Sequence, residues 1–510
     1  MKRELKRFFL FVLTITLAYG VCFSVSEFYT VPNEGWRDSL MLAFYWCLLE
    51  TGIFGLLAVL ASNRWLFVFC FPLLTVACAV MTYYRYTAHV VLTPMMIDLL
   101  LVNDIRTDVH AMSVWLILLA VLALAVSAGV VSYRYRRVTC PYPWAWLTVG
   151  CTLVYVSVFG ISVHSDKVLQ RMPFSFYDAI SQYVAQRHIV TEERPLLDGC
   201  SEEGSDSLTV VLIIGESLRA DHLQLNGYRR ATTPLLSREP NLVSLPHVWS
   251  RYSYTHLSIP HLLTRADDAH PERAYTERSL ISVLNEAGYR TAWLSNQESV
   301  ETFVYFMKEC DTLVYANGGG SIGMFDAWLD EDLLPLLDSE LERTDNRRFI
   351  LLHTIGSHWF YNAHFSSAFE RWKPLARHRV VMSNSKEELC NSYDNTILYS
   401  DWFWKSVIDR LRQRKAVLFY VSDHGESLGE DGQYWHGADR PEQLNVASFV
   451  WFSDRYADCY PEKVKALKEH SSRKMKTDYV FHSIICAAGV LSSVVNDSLD
   501  IFHTEEPLEE

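Results

Sequence analysis

Charge is scarce in the first third of this 510-residue chain. Residues 1–165 hold 11 Lys and Arg and 8 Asp and Glu, leaving 35 and 51 for the remaining residues. That split argues against a single uniform soluble domain. Positive charge is what the later part lacks. Its formal charge is −16, against +3 for the first part and −13 overall. An acidic domain repels phosphate backbones, so nucleic-acid binding is disfavoured. Cysteines number 11, yet none has the short paired spacing of a zinc ribbon. Cys22, Cys47, Cys70, Cys78, Cys140 and Cys151 lie in or beside apolar runs and read as packing residues. The other five are Cys200, Cys310, Cys390, Cys459 and Cys486, an odd number that leaves at least one unpaired within the chain. Internal repeats and low-complexity tracts are also missing.

What the first third does contain is five apolar runs, near Phe8–Ser26, Leu40–Ala61, Trp65–Tyr83, Ser113–Ser132 and Trp144–Val163. Each approaches the roughly 20 residues that a helix needs to cross a bilayer. A cleaved leader would explain only the first. Lys2, Arg3, Lys6, Arg7, Arg64, Arg134, Arg136 and Arg137 fall on one side of such a bundle, while the opposite loops hold Arg37, Arg85 and Arg106. The positive-inside rule then puts the N-terminus in the cytoplasm and everything after about Val163 outside. Glu50 lies mid-span, where a carboxyl suits either a polar seam between helices or a functional role. The loop over residues 84–112 carries an apolar stretch, Met95–Val102, that reads either as a surface-lying amphipathic segment or as a helix packed on the outer domain. Residues 166–206 read as a helix and linker, and 207–510 as the outer domain.

That domain alternates β-branched runs with helical patterns. The clearest strands are Thr209–Ile214, Arg290–Leu294, Phe349–Leu352 and Val417–Val421. Continuous apolar strands between helices imply an α/β fold with a mostly parallel central sheet. Four polar clusters follow strands or begin helices: Gly215–His222, Tyr254–Pro260, Gly356–His358 and Ser422–Ser427, the last with His436 beyond it. Open α/β sheets hold ligands at the carboxyl ends of their strands. Glu, Asp and His gathered there suit a zinc-type site, although each cluster alone reads equally well as caps and turns.

Together these motifs resemble a known family. Gly215-Glu216-Ser217-Leu218-Arg219-Ala220-Asp221-His222, Asn226-Gly227-Tyr228, Thr232-Thr233-Pro234, Gly356-Ser357-His358, Tyr393-Asp394-Asn395, Tyr399-Ser400-Asp401 and the long run from Ser422 to Gly432 are similar to the phosphoethanolamine transferases of the Gram-negative envelope. These belong to the sulfatase-like branch of the alkaline phosphatase superfamily and include the mobile colistin-resistance enzymes. The resemblance implies a membrane domain of five transmembrane helices plus an alkaline-phosphatase/sulfatase-like periplasmic domain, in the bacterial inner membrane. It implies transfer of phosphoethanolamine from phosphatidylethanolamine to lipid A or another envelope glycan by a monomer, with release of diacylglycerol. Thr255 matches the nucleophile. Glu216, Thr255, Asp423 and His424 match the ligands of one zinc ion. His358 and His436 match positions that bind the phosphoryl group or a second zinc. A free threonine hydroxyl is a poor nucleophile, and a zinc ion that favours its alkoxide is the physical reason for that pairing.

Departures are informative. Where the family places Cys on both sides of the nucleophile, this chain has Arg251 and His261, so packing must hold the loop. Asn103 and Thr107 match residues expected near a lipid headgroup, but Ala111 replaces a family Glu, with His110 nearby. Asn296, in Asn296-Gln297-Glu298-Ser299, loosely matches substrate-contacting positions. The Cys/Ser-x-Pro-x-Arg signature of formylglycine sulfatases is not met by Ser258-Ile259-Pro260-His261-Leu262 or by Cys140-Pro141-Tyr142-Pro143-Trp144. The same chemistry on another headgroup, a phosphoglycerol transferase, is the alternative reading.

Overall fold

The architecture is taken from a computed structural model. It describes the chain except residues 29–35, 89–91, 93–96, 98–112, 160–167, 170, 191–193, 202–206, 298–300, 317–326, 379–380 and 505–510. The chain divides into two compact units. The first falls within Met1–Leu101 and Met112–Ala185, the second within Gln186–Glu510.

The first unit is helical: α1 (Lys2–Cys22), α2 (Trp36–Ser62), α3 (Arg64–Ala88), α4 (Val114–Arg137) and α5 (Pro143–Val154). Four of these are long and apolar enough to cross a membrane. Helix α5 is shorter; a π-type turn carries it on to Phe159, and the rest of the expected fifth span lies outside the described residues. Most apolar side chains on α4 face outward, including Val114, Trp115, Leu118, Val121 and Leu122. That distribution suits a lipid solvent, which holds exposed apolar groups without cost. Arg134 is buried and donates from Nε (3.0 Å) and Nη2 (2.5 Å) to the Ala61 carbonyl, an acceptor left open at the end of α2. Glu50 turns towards α1, so that a Cβ on Gly20 would lie 2.5 Å from its Oε1. The Met95–Val102 run, apart from Ile97, lies outside the described residues, as do Asn103 and Thr107. Helix α6 (Ser175–Val190) follows within the stretch read as helix and linker.

The second unit is built on a seven-stranded sheet. Its strands are β1 (Leu208–Gly215), β2 (Leu242–Ser244), β3 (Arg290–Ser295), β4 (Thr312–Tyr315), β5 (Arg347–His353), β6 (Ala416–Ser422) and β7 (Ser448–Phe452), in the order β2-β7-β6-β1-β5-β3-β4. Neighbours from β6 to β4 are parallel, while β7 runs antiparallel to both β6 and β2. Strand β1 is buried along its whole length. Val210, Leu212 and Ile214 join one apolar cluster, Val211 and Ile213 the other, as the two-residue period of a strand requires. The long helix α8 (Lys386–Leu411) covers the second face. Ser385 caps its start, with Glu388 reaching back to the Ser385 N–H at 2.9 Å. All eleven cysteines are free thiols.

Candidate active site

Strands β1 and β6 lie side by side, with Gly215 paired to Ser422, so their carboxyl ends deliver Glu216 and Asp423–His424 to one place. The turn after β1 is tight. Ser217 has φ of +57°, a left-handed conformation uncommon for a residue with a side chain. It is held from several directions. Its N–H donates to Asp423 Oδ1 (3.2 Å), its hydroxyl to Glu216 Oε1 (2.7 Å), and its carbonyl accepts from the Tyr393 hydroxyl (2.6 Å). Gly356, at φ +53°, packs so closely on this turn that a Cβ would lie 2.9 Å from the Glu216 backbone nitrogen. That approach, from the end of β5, brings in Ser357 and His358.

Helix α7 (Thr255–Leu263) begins at Thr255, whose hydroxyl therefore sits at the positive end of a helix. It donates to Glu216 Oε2 at 3.0 Å and lies 3.2 Å from His424 Nε2. Nδ1 of His424 lies 2.8 Å from the Gly425 carbonyl and must donate to it, leaving Nε2 with its lone pair towards Thr255. His424 Nε2 is also 3.4 Å from Glu216 Oε1 and 3.5 Å from Asp423 Oδ2. These three residues are buried, and one donor atom from each falls within 4.8 Å of the others.

Burial dominates the electrostatics. It raises the Glu216 carboxyl, and together with the neighbouring Glu216 charge it pushes Asp423 up to about 7. It lowers the His424 imidazole. Asp423 Oδ2 is buried with no hydrogen-bond partner among the described residues. Two crowded carboxylates, one orphaned oxygen and an imidazole lone pair are poorly satisfied by one another. A divalent cation satisfies all of them, and the mixed N/O donor set suits zinc.

His436 stands beside this group, its ring centroid 4.2 Å from that of His424. Its Nδ1 donates to Glu426 Oε2 at 3.0 Å, and the Tyr361 hydroxyl donates to the other oxygen at 3.0 Å. Burial opposes protonation of His436, but the Glu426 bond and charge outweigh it and raise its pKa. His424, Glu426 and His436 form a second group able to hold an ion. His358 is neutral, pushed down to about 4 by burial, and its Nδ1 is buried without a partner among the described residues. Asn296 is buried and donates to Asp330 at 3.0 Å, and Asp330 in turn accepts the N–H groups of Ile355 and Gly356. Two residues not singled out from the sequence join the site. Glu426 lies inside the Ser422–Ser427 motif, and its role in orienting His436 could have been suspected there. Gln297 donates to Glu216 Oε2 (3.4 Å) and the Thr354 carbonyl (3.1 Å), and only its place beside Asn296 pointed to it.

A hydroxyl at a helix start faces carboxylates and imidazoles at the ends of parallel strands, an arrangement in an α/β domain that agrees with the alkaline-phosphatase/sulfatase-like fold expected from the sequence motifs. The chain belongs to the Sulfatase family, whose model matches residues 209–490. It is 34% identical over 289 residues to the Kdo(2)-lipid A phosphoethanolamine 7''-transferase of Escherichia coli (strain K12), which covers 54% of this chain and 50% of that protein. The chain thus spans about half the length of the curated relatives it matches. Its fold matches the integral membrane lipooligosaccharide phosphoethanolamine transferase A of Neisseria meningitidis, with a TM-score of 0.79 at 24% identity over 96% of this chain and 98% of that one. The C-terminal periplasmic domain of EptC from Escherichia coli, solved as a complex with Zn, superposes with a TM-score of 0.56 at 24% identity, covering 62% and 92%.

Proposed function

We propose that the chain is a zinc-dependent phosphoethanolamine transferase, anchored by five spans in the bacterial inner membrane with its second unit in the periplasm. The observation that carries this reading is the Thr255 hydroxyl held between Glu216 Oε2 and His424 Nε2 at a helix start. A zinc ion bound by Glu216, Asp423, His424 and Thr255 supplies positive charge that favours the deprotonated hydroxyl. The protein does the rest. Glu216 and Gln297 fix the direction of the Thr255 oxygen. The positive end of α7 faces the incoming phosphodiester. Thr255 Oγ forms a bond to the phosphorus of phosphatidylethanolamine, and the bond to the diacylglycerol oxygen breaks. His436, protonated through Glu426, supplies the proton that diacylglycerol carries away. The acceptor, a hydroxyl or phosphate of lipid A or another envelope glycan, then attacks the phosphorus of the phosphoethanolamine-threonine, any proton it carries passing to the neutral His436, and the bond to the Thr255 oxygen breaks, returning that oxygen to its deprotonated state. Adding an ethanolamine cation lowers the attraction of that surface for cationic peptides.

The direct test is incubation of the purified full-length chain with headgroup-labelled phosphatidylethanolamine, followed by intact-protein mass spectrometry. A mass gain of one phosphoethanolamine on wild type, absent from Thr255→Ala, is expected. A gain seen only with phosphatidylglycerol would instead favour the phosphoglycerol reading.

A further inference from the structure

A cavity of about 700 Å³ adjoins the segment that leads into the nucleophile. Its wall includes Trp249, Ser250 and Arg251, a few residues before Thr255, and the Ser250 hydroxyl donates to the Asp423 carbonyl at 2.6 Å. The cavity's other side comes from residues 473–476 and 498–501. This region reverses the sign of its surroundings. Between Pro461 and Lys476 the chain holds six Lys and Arg against two Glu, inside a domain where acids predominate.

The charges lining the cavity do not cancel. Arg251 pairs with Asp268 and Asp478, and Lys476 with Asp268. Asp500 turns to the Phe502 N–H at 2.9 Å. Arg473 and Lys474 have no carboxylate within ion-pair distance among the described residues, and Lys474 Nζ stands 5.0 Å from the centre of the Trp249 ring. A guanidinium and an ammonium beside a half-buried indole, in a cavity of ligand size, match an anionic group carried on a ring.

We propose that this cavity is a recognition subsite for a phosphorylated sugar of the acceptor. Arg473 and Lys474 bind the phosphate, and Trp249 packs on the sugar ring. This rests on the transferase reading above. The subsite selects phosphorylated acceptors without touching the reacting atoms, because the charges lie on the cavity's wall and not at Thr255.

Two measurements on the full-length chain in detergent separate the subsite from the reaction. The first is diacylglycerol release from phosphatidylethanolamine without acceptor. The second is binding of glucosamine 1-phosphate, glucosamine and inorganic phosphate by calorimetry. The Arg473→Ala/Lys474→Ala double variant is compared with Lys465→Ala, an exposed lysine on the same basic segment. The double variant should release diacylglycerol at the wild-type rate and bind glucosamine 1-phosphate at least about tenfold more weakly, as expected for losing charge-assisted bonds. Lys465→Ala should change neither. Sugar-phosphate affinity that survives in the double variant, or falls equally in Lys465→Ala, would overturn the subsite. Equal affinity for inorganic phosphate and the sugar phosphate would assign the cavity to free anion and overturn the acceptor assignment. Absence of diacylglycerol release from wild type would count against the transferase reading alone, since the binding arm is read independently of turnover.

Discussion

Thr255 has little intrinsic reactivity, so its neighbours decide what it does. Thr255→Ala should lower transfer by at least about a thousandfold, as removal of a covalent nucleophile does; measurable turnover near wild type would exclude it. Glu426 acts one step away by fixing the His436 ring. Glu426→Gln keeps the shape but weakens acceptance from Nδ1, and a fall in kcat of about 10–100-fold is expected, the usual cost of removing such an orienting partner. A second residue-scale prediction concerns acid. His353 is fully buried between Trp293 and Phe303, and burial pushes its imidazole down to about 3. Its native pKa lies below the unfolded value near 6.5, so the stability it permits is complete above pH 6.5 and is lost as pH falls towards 3. At pH 5 that loss is about 2 kcal/mol. Thermal melts of wild type and His353→Gln at pH 7 and pH 5 should therefore converge at the lower pH. At this scale the sequence was legible for Glu216, Thr255, Asp423 and His424, which the fold brings within reach of one another. It was less so for Asn296, whose Asp330 partner is 34 residues away, because no local pattern reports a long-range hydrogen bond.

Elements carry the second layer of meaning, and several motif residues prove to be braces. Asp394 on α8 accepts from His222, Tyr228 and Arg230, and Asp401 accepts the N–H groups of Leu235 and Leu236. One long helix thereby anchors the segment that follows Glu216. The sequence displayed these acids beside Tyr and Asn, but nothing in their spacing separates a ligand from a brace. The nucleophile segment is secured by another device. Where the family places cysteines, Arg251 ties the segment before Thr255 to Asp268 and Asp478, and His261 packs its ring 4.8 Å from Tyr252. Asp478 is largely buried and Asp268 exposed, so the Asp478 pair carries most of the effect. Arg251→Ala should cost about 1.5–3 kcal/mol, the range for hydrogen bonds to a charged group. Arg251→Lys should fall between, since one ammonium cannot fork to two carboxylates as a guanidinium does. Urea unfolding would rank the three, and identical midpoints would remove the clamp.

At the scale of the molecule, the uneven charge of the chain reflects two units with different solvents. Apolar runs announced the helices of the first unit because lipid demands long uninterrupted stretches, whereas the β2-β7 edge went unread because a three-residue strand leaves too little pattern. The second unit buries two carboxylates and an imidazole side by side in the Glu216–Asp423–His424 cluster. If a zinc ion neutralises that cluster, folding and metal binding are linked in this unit and absent from the first. Free metal at about a thousand times its dissociation constant adds about 4 kcal/mol of stability. Chelation should therefore lower the melting transition of the second unit, followed by near-ultraviolet circular dichroism, while the far-ultraviolet helical signal of the first persists to higher temperature. Restored zinc should return the transition in wild type but not in Asp423→Ala/His424→Ala, which lacks the donors. A transition indifferent to chelator and zinc would mean that the buried carboxylates are satisfied by protons alone, and the proposed activation of Thr255 would lose its physical basis.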